Sequence, residues 1–357
     1  MLLENQEYIR QIETMVKESA LPWEKLDNCS VMVTGAAGML GSGIVDVLLY
    51  LNEYRNYHIT IFALGRTEKK LVDRFGAYAK KDYFQILPLD ISKELSLDED
   101  VDYVIHAASN ADPYMMANYP VDTLLANVVG MNNILDLAKR KQAKRVLYVS
   151  SGEMYGQPDD TLTNGFYEGY CGVVDYSNPR SCYPSGKRAA EVLCQSYISQ
   201  YGSDVVIVRP CHCYGPTMTK TDSRAMSQFF RKVINGEDIV LKSDGTLERS
   251  HCYVTDAAYA MFTVLLTGEN GGAYNIADKA SVASIREVAS LIADQKGKQV
   301  LFDLPDDVEK RGFSKVVRAV LDGSKLETLG WKPQIHLEDG VAATVSILEE
   351  LESTEEV

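Results

Sequence analysis

Tyr183 precedes Lys187 by four residues in the segment Ser181-Cys182-Tyr183-Pro184-Ser185-Gly186-Lys187-Arg188. On a helix that spacing puts both side chains on one face, where an ammonium lowers the pKa of a neighbouring phenol. A phenol tuned in this way serves as a base near neutral pH. Pro184 is tolerated only in a first turn, so the pair is expected at a helix N-terminus, where the helix dipole also favours a phenolate. Alone the pair is a weak signal, because a chain with 21 tyrosines offers such spacings by chance. Its weight comes from its place downstream of a glycine-rich turn.

That turn is Thr34-Gly35-Ala36-Ala37-Gly38-Met39-Leu40-Gly41, which follows the apolar run Val31-Met32-Val33 and opens a helical pattern. Strand, glycines and helix in that order let the backbone approach a pyrophosphate seated on the helix N-terminus. Gly35, Gly38, Met39, Leu40 and Gly41 are therefore candidate cofactor contacts, against the alternative of a tight turn with no ligand. NAD-binding proteins of this kind carry an acid for the ribose 2′-hydroxyl at the end of the second strand. Here that position reads Ala63-Leu64-Gly65-Arg66-Thr67. The acid is missing, Gly65 leaves room for a 2′-phosphate and Arg66 can pair with it, so NADP is as well supported as NAD. Asp90 and Ile91, after the third strand, are placed to contact the adenine.

These residues need a scaffold, and the pattern supplies one. Short β-branched runs at Ser30 to Thr34, His58 to Leu64, Phe84 to Leu87, Tyr103 to His106, Arg145 to Ser150 and Asp204 to Val208 alternate with helices beginning near Gly38, Pro120 and Tyr183. Alternation of this kind predicts an α/β fold, a Rossmann-type doubly wound parallel sheet. After Pro216 longer polar loops, a helix through Ser227 to Ile234 and a strand near Ile239 to Lys242 suggest a smaller C-terminal α/β substrate domain. The expected organisation is an N-terminal helical extension over 1–28, a dinucleotide-binding domain over 29–215 and about 250–280, and a substrate domain over 216–249 and 281–357. The extension carries Leu3, Ile9, Ile12 and Val16 on one face, and is expected to pack on its own chain. The acidic run from Glu349 to Glu356 reads as a frayed end.

Composition limits the partners. With 357 residues and 46% hydrophobic content the chain can bury a large core, while a formal net charge of −14 argues against nucleic acid or an anionic membrane. The N-terminus turns acidic before an apolar signal core forms, and no stretch reaches transmembrane length. Seven cysteines, an odd number, read as reduced thiols of a cytoplasmic protein. Cys211-His212-Cys213 is an extended segment poorly arranged to share a metal, so none is expected.

Taken together, these features resemble the extended short-chain dehydrogenase/reductase superfamily, specifically its NAD-dependent epimerase/dehydratase branch, over nearly the whole chain after residue 29. The segment His106-Ala107-Ala108-Ser109 matches the family's small-residue end of the fourth strand, and Asn127-Val128-Val129-Gly130 its Asn-x-x-Gly helix. Ser150-Ser151-Gly152-Glu153-Met154-Tyr155-Gly156 matches its active-site turn. Arg209 with Tyr214-Gly215-Pro216, Arg249 with Tyr253-Val254 and Asp256, and Leu329-Gly330-Trp331 with Pro333 complete the ordered matches. The resemblance implies a tightly bound, recycled NAD or NADP contacted by Ala107, Ala108, Ser109, Asn127, Tyr183 and Lys187. It implies that Ser151 hydrogen-bonds the sugar 4-hydroxyl while Tyr183 removes its proton. A nucleotide-sugar substrate would have its diphosphate bound by Arg249 and Arg224, with His212 close by. It also implies a homodimer through the helices near Pro120 and Tyr183.

Reaction type turns on the two residues after Ser151. The resemblance to dTDP-glucose 4,6-dehydratases would require an Asp-Glu pair there, and this chain has Gly152 and Glu153. Simple 4-epimerases usually lack a carboxylate at the second position. UDP-glucuronate decarboxylases keep Glu beside a Ser, and their tyrosine motif is similar to Asn178-Pro179-Arg180-Ser181-Cys182-Tyr183. Decarboxylation of UDP-glucuronate is the first expectation, with Ser151, Glu153, Tyr183 and Lys187 catalytic. A 4,6-dehydratase and a 4-epimerase stand behind it. A dinucleotide-binding sensor without turnover is the alternative from another class, and the intact Ser151, Tyr183 and Lys187 argue against it.

Overall fold

The computed structural model describes residues 2–159, 162, 164–303 and 318–355. Its helices are α1 Gln6–Glu18, α2 Met39–Arg55, α3 Glu68–Phe75, α4 Pro113–Asn118, α5 Pro120–Arg140, α6 Cys182–Tyr201, α7 Ala225–Ile234, α8 Val254–Thr267, α9 Ile285–Asp294, α10 Ser324–Glu327 and α11 Leu337–Glu355. The strands are β1 Ser30–Thr34, β2 Thr60–Gly65, β3 Phe84–Pro88, β4 Tyr103–His106, β5 Arg145–Val149, β6 Val205–Pro210, β7 His212–Tyr214, β8 Ile239–Leu241, β9 Glu248–Tyr253, β10 Ala273–Ile276, β11 Val282–Ser284, β12 Val300–Phe302 and β13 Arg318–Ala319.

A parallel seven-stranded sheet in the order β10-β6-β5-β4-β1-β2-β3 forms the centre. Successive strand residues face opposite sides, and both sides are apolar. Val31, Val33, Ile61, Ile105, Leu147 and Val206 pack toward α2 and α8, whereas Met32, Phe62, Val104, Val146, Val205 and Ile207 pack toward α5 and α6. Burial on both faces explains why these strands read as continuous apolar runs. Ligand-binding loops of such a sheet emerge at the carboxyl ends of its strands. The residues of interest lie there, after β1, β4 and β5 and at the start of α6.

A second, smaller sheet is built on β9, which pairs with β7 and β13 in parallel and with β11 antiparallel. Its register aligns two copies of one tripeptide: His212 with His251, Cys213 with Cys252, and Tyr214 with Tyr253. Two expected boundaries shift as a result. Strands β7 and β9 belong to this small sheet, so the return to the large sheet begins at α8 rather than near residue 250. The C-terminal acidic run is not a frayed end through Glu355, since α11 carries it; Glu356 lies outside the described residues.

The N-terminal helix packs on its own chain as expected, against α2, α8 and α11. Asn5 caps it by accepting from the Tyr8 N–H at 2.9 Å. Tyr8, Ile12, Met15 and Val16 are buried, and Ile9 only partly. The Tyr8 hydroxyl donates to Asp46 Oδ2 at 2.9 Å, and Arg74 pairs with the same oxygen.

Candidate active site

The cofactor end is built where β1 meets β4. Gly35 turns the chain with a left-handed φ of 68°. A Cβ there would lie 2.8 Å from the Ala108 nitrogen, and one on Gly41 2.1 Å from the Gly35 carbonyl oxygen, so both positions require glycine. Gly38 caps α2 without a side-chain hydrogen bond. The N–H groups of the first turn, at Met39 and Leu40, have no intrahelical acceptor and form a seat for an anion. The opposite wall is fixed by Ala107 N–H donating to the Thr34 carbonyl and Ala108 N–H to Thr34 Oγ1, each at 3.2 Å. Ser109 donates to Asn127 Oδ1 at 3.0 Å, and the Asn127 amide to the Thr123 carbonyl at 2.8 Å. Gly186 brings α6 against this wall, since a Cβ on it would lie 3.0 Å from Asn127 Cβ. Close-approach backbone, open helix N–H groups and a fixed amide fit a dinucleotide.

Farther out, Arg66 donates from Nη2 to Asn110 Oδ1 at 2.9 Å. Asp90 accepts from the Ser92 N–H and hydroxyl at 2.9 and 2.8 Å. Partial burial pushes Asp90 up, but those two bonds and the Arg66 charge together hold it below the usual carboxylate range. Ile91 is buried and leaves no space for a side chain at Gly130, where a Cβ would come within 2.7 Å of its Cδ1. The glycine of the Asn-x-x-Gly helix is thus explained by packing.

At the catalytic end, Tyr183 and Lys187 lie in the first two turns of α6 with Pro184 in the first, and both are buried. Lys187 Nζ donates to the Val149 carbonyl at 2.8 Å and stands over the rings of Tyr148 and Tyr183 at 5.0 and 5.6 Å. Burial pushes the Tyr183 phenol well up, with the Glu153 charge adding to it; the Ser151 hydroxyl, then Arg224 and Arg180, pull it back. Burial also pulls Lys187 down, to about 7, against the opposing charges of Glu191 and Cys194. Burial therefore outweighs the expected lowering of Tyr183; what pulls the phenol back comes foremost from Ser151 and the two arginines, and Lys187 spends its hydrogen bond on Val149.

Ser151 accepts from the Glu153 N–H at 3.2 Å and starts a short turn over Gly152–Tyr155. Arg188, one residue beyond Lys187, ties that turn to α6 by donating to the carbonyls of Met154, Tyr155 and Gly172 at 2.6, 2.9 and 2.7 Å. This clasp brings Ser151, Glu153, Tyr183 and Lys187 together. Glu153 pairs with Arg180 at 3.0 Å, each side chain 42% exposed and so open to a ligand. Gly152 has a steric reason: a Cβ would lie 2.9 Å from Leu321 Cδ1, 3.2 Å from its Cδ2 and 3.4 Å from the Pro210 carbonyl oxygen.

The expected substrate residues divide. Arg249, on β9, is buried and donates to the Glu248 carbonyl at 3.1 Å; burial pulls its guanidinium down and the Glu153 charge pulls it back up. His212 is open to the cleft, its ring 6.1 Å from that of His251. Desolvation, then the neighbouring His251, Arg249 and Arg224, push its pKa below the ordinary histidine value. Arg224 turns toward the cofactor end: Nε donates to both Asp222 oxygens at 3.0 Å, and Nη2 reaches Met39 Sδ at 3.5 Å. Sequence reasoning assigned no role to Arg180, His106 or Tyr148, which the fold places beside these groups. Arg180 was in plain view within the tyrosine motif, whereas Tyr148 reads only as a core residue of β5.

The family model described as NAD dependent epimerase/dehydratase family matches residues 31–277, more than half of the chain. The chain belongs to that family. UDP-glucuronic acid decarboxylase 6 of Arabidopsis thaliana is 32% identical over 317 residues, covering 88% of this chain and 87% of the relative. UDP-glucuronic acid decarboxylase 1 of Danio rerio is 30% identical over 351 residues, 95% of this chain and 78% of the relative. Among solved structures, UDP-glucuronic acid 4-epimerase from Bacillus cereus, in complex with UDP-glucuronic acid and NAD, superposes with a TM-score of 0.75 at 23% identity, covering 90% of this chain and 99% of that one. That likeness shows the fold. The family's members named here are enzymes, and this chain is an NAD-dependent epimerase/dehydratase-family enzyme. No helix among the described residues is long and apolar enough to cross a membrane.

Proposed function

We propose that the protein is a UDP-glucuronate decarboxylase that works by transient oxidation at sugar C4. The observation that carries this reading is the pairing of Tyr183 with one neighbouring carboxylate, Glu153, while Leu321 fills the space of a side chain at position 152. The two-carboxylate form of water elimination uses an acid and a base beside the tyrosine, and the form that manages with a hydroxyl residue and Glu lacks its hydroxyl at Gly152. Loss of CO₂ needs only one proton donor, because oxidation at C4 makes the substrate a β-keto acid that decarboxylates with little further help.

In this reading Gly35, Gly38, Met39, Leu40 and Gly41 hold the dinucleotide pyrophosphate, and Ala107, Ala108, Ser109, Asn127 and Lys187 hold its nicotinamide end. When bound, the dinucleotide supplies a reversible hydride acceptor. Ser151 hydrogen-bonds the 4-hydroxyl and Tyr183 accepts its proton. After the C5–carboxylate bond has broken, Glu153 relays a proton from solvent, to which its side chain is open, to C5 of the resulting enolate, and Tyr183 returns its proton to the C4 oxygen. Arg249 meets the substrate diphosphate, helped by His212 acting as hydrogen-bond donor. Arg224, held by Asp222 beside Met39, sits between the substrate and cofactor ends. NAD is favoured over NADP, since Arg66 is engaged by Asn110 and its charge is answered by Asp90. A homodimer is favoured by the exposed apolar side chains of α5 and α6, Val121, Leu124, Leu125, Val192 and Tyr201. A cytoplasmic location is favoured by the seven free cysteines.

Incubation with UDP-glucuronate and mass spectrometry of the products tests the reading. Loss of CO₂ to a UDP-pentose is the expected result. A UDP-hexuronate of unchanged mass with inverted C4 would make it a 4-epimerase instead, and no product with either dinucleotide would overturn the proposal.

A further inference from the structure

Beneath the catalytic end runs a buried column of side chains that the mechanism above does not use. Lys187 Nζ meets a single acceptor among the described residues, the Val149 carbonyl at 2.8 Å, although an ammonium carries three protons. A buried cation with so little hydrogen bonding is costly unless something else answers its charge. The groups facing it are Tyr183, Glu191 and Cys194 on α6, Tyr148 and the Val149 carbonyl on β5, and His106 on β4. Glu191 is committed to Arg209, which it meets at 2.9 and 2.6 Å. The Tyr148 ring, 5.0 Å from Nζ, is nearer than the Tyr183 ring at 5.6 Å.

We propose that Tyr148 is a positioning residue, whose ring face holds the Lys187 ammonium in its charged form while His106 and Thr34 hold that ring in place. An aromatic face within about 6 Å attracts a cation, and the attraction grows when water is excluded. His106 stacks on the Tyr148 ring with centroids 5.8 Å apart and planes 21° apart. His106 Nδ1 is hydrogen-bonded to Thr34 Oγ1 at 2.7 Å, and Thr34 Oγ1 also accepts from Ala108 N–H. The column thus links the residue before the glycine turn to the catalytic lysine. His106 suits this place because burial and the Lys187 charge keep it neutral, so it adds no second cation. The Tyr148 hydroxyl is buried with no hydrogen-bond partner among the described residues, which leaves the ring as the part that meets Lys187.

The consequence for turnover rests on the reading of Lys187 given above; the charge of Lys187 itself can be measured without it. In protein labelled with carbon-13 at lysine Cε, the Lys187 resonance, identified by its loss in Lys187→Met, reports the titration directly. Tyr148→Phe keeps the ring and is expected to titrate like the wild type. Replacing Tyr148 by 3,4,5-trifluorophenylalanine keeps the shape but empties the ring face of negative charge, and is expected to lower the Lys187 pKa by about one unit. The alkaline limb of kcat/KM should move down with it. Equal titration of the phenylalanine and trifluorophenylalanine proteins would overturn the proposal, as would a full shift in Tyr148→Phe alone. A shifted titration with an unmoved pH profile would support the role of Tyr148 and count against Lys187 in catalysis.

Discussion

Glu153 and Arg180 form an ion pair at 3.0 Å across the mouth of the site, one from the turn after β5 and the other from the residues that lead into α6. Both side chains are half open to solvent, so the pair contributes little to stability, about 0.2–1 kcal/mol. In the proposed reaction it aims the carboxylate. Glu153→Gln is expected to lower kcat by about 10²–10⁴-fold, and Arg180→Gln by about tenfold through misplacement of Glu153. Thermal melting should barely move in either. Steady-state kinetics beside a melting curve checks this; a loss of stability matching the loss of activity would make the pair structural.

Gly152 and Leu321 form a steric couple between the two parts of the chain. Gly152→Ser should destabilise the protein by about 1–3 kcal/mol, because its Cβ meets the Leu321 methyls. Leu321 is buried, so Leu321→Ala costs about 2–5 kcal/mol by itself. In that background the serine should be nearly free of penalty. Urea unfolding of both single variants and the double variant measures the coupling, and simple additivity would show that Leu321 is not what excludes a side chain at 152.

Asp256 should make stability depend on pH. It is buried at the start of α8 and accepts the N–H groups of Gln334 at 3.0 Å and Ile335 at 2.8 Å, yet burial wins and its pKa rises to about 7. The folded state then holds this proton more tightly than the unfolded chain, where the group titrates near 3.8. Its contribution is full below about pH 4 and is lost as pH rises through 7. Relative to Asp256→Asn, the wild type should therefore lose stability between pH 4 and 7, by up to about 4 kcal/mol. Denaturant melts at several pH values read this directly, and parallel curves for the two proteins would refute it.

Arg74→Met should destabilise the clasp of the N-terminal helix. Asp46 is wholly buried, and its partners are Arg74 and the Tyr8 hydroxyl. Removing the arginine leaves a buried carboxyl without its countercharge, for which a loss of about 3–5 kcal/mol is expected. Asp46→Leu with Arg74→Met should recover most of that loss. Chemical denaturation separates the cases; a single variant as stable as wild type would mean that Asp46 is protonated and needs no partner.

Much of this was legible in the sequence, and the reasons are physical. β1 and β4 run over the expected residues because strands buried on both faces read as unbroken apolar runs. Gly35 and Gly41 announced themselves, since close backbone approach admits no other residue. The small sheet was not legible: β7 and β9 each repeat His-Cys-Tyr, a tripeptide too short to show a strand period, and their strand character comes from pairing with each other. Gly152 looked like a missing acid and also packs beneath the Leu321 methyls, some 170 residues away in the chain. Tuning of Tyr183 was assigned to Lys187 from helical spacing, but burial and hydrogen-bond partners decide it, and neither can be read from spacing.

The central claim is that C4 is oxidised and then reduced again within one site while CO₂ leaves. UDP-glucuronate carrying deuterium at C4 tests it most directly. The account predicts a UDP-pentose that has lost CO₂ and still holds the deuterium at C4, with no net consumption of dinucleotide. Loss of the label to solvent, or a product that retains the carboxylate, would contradict it.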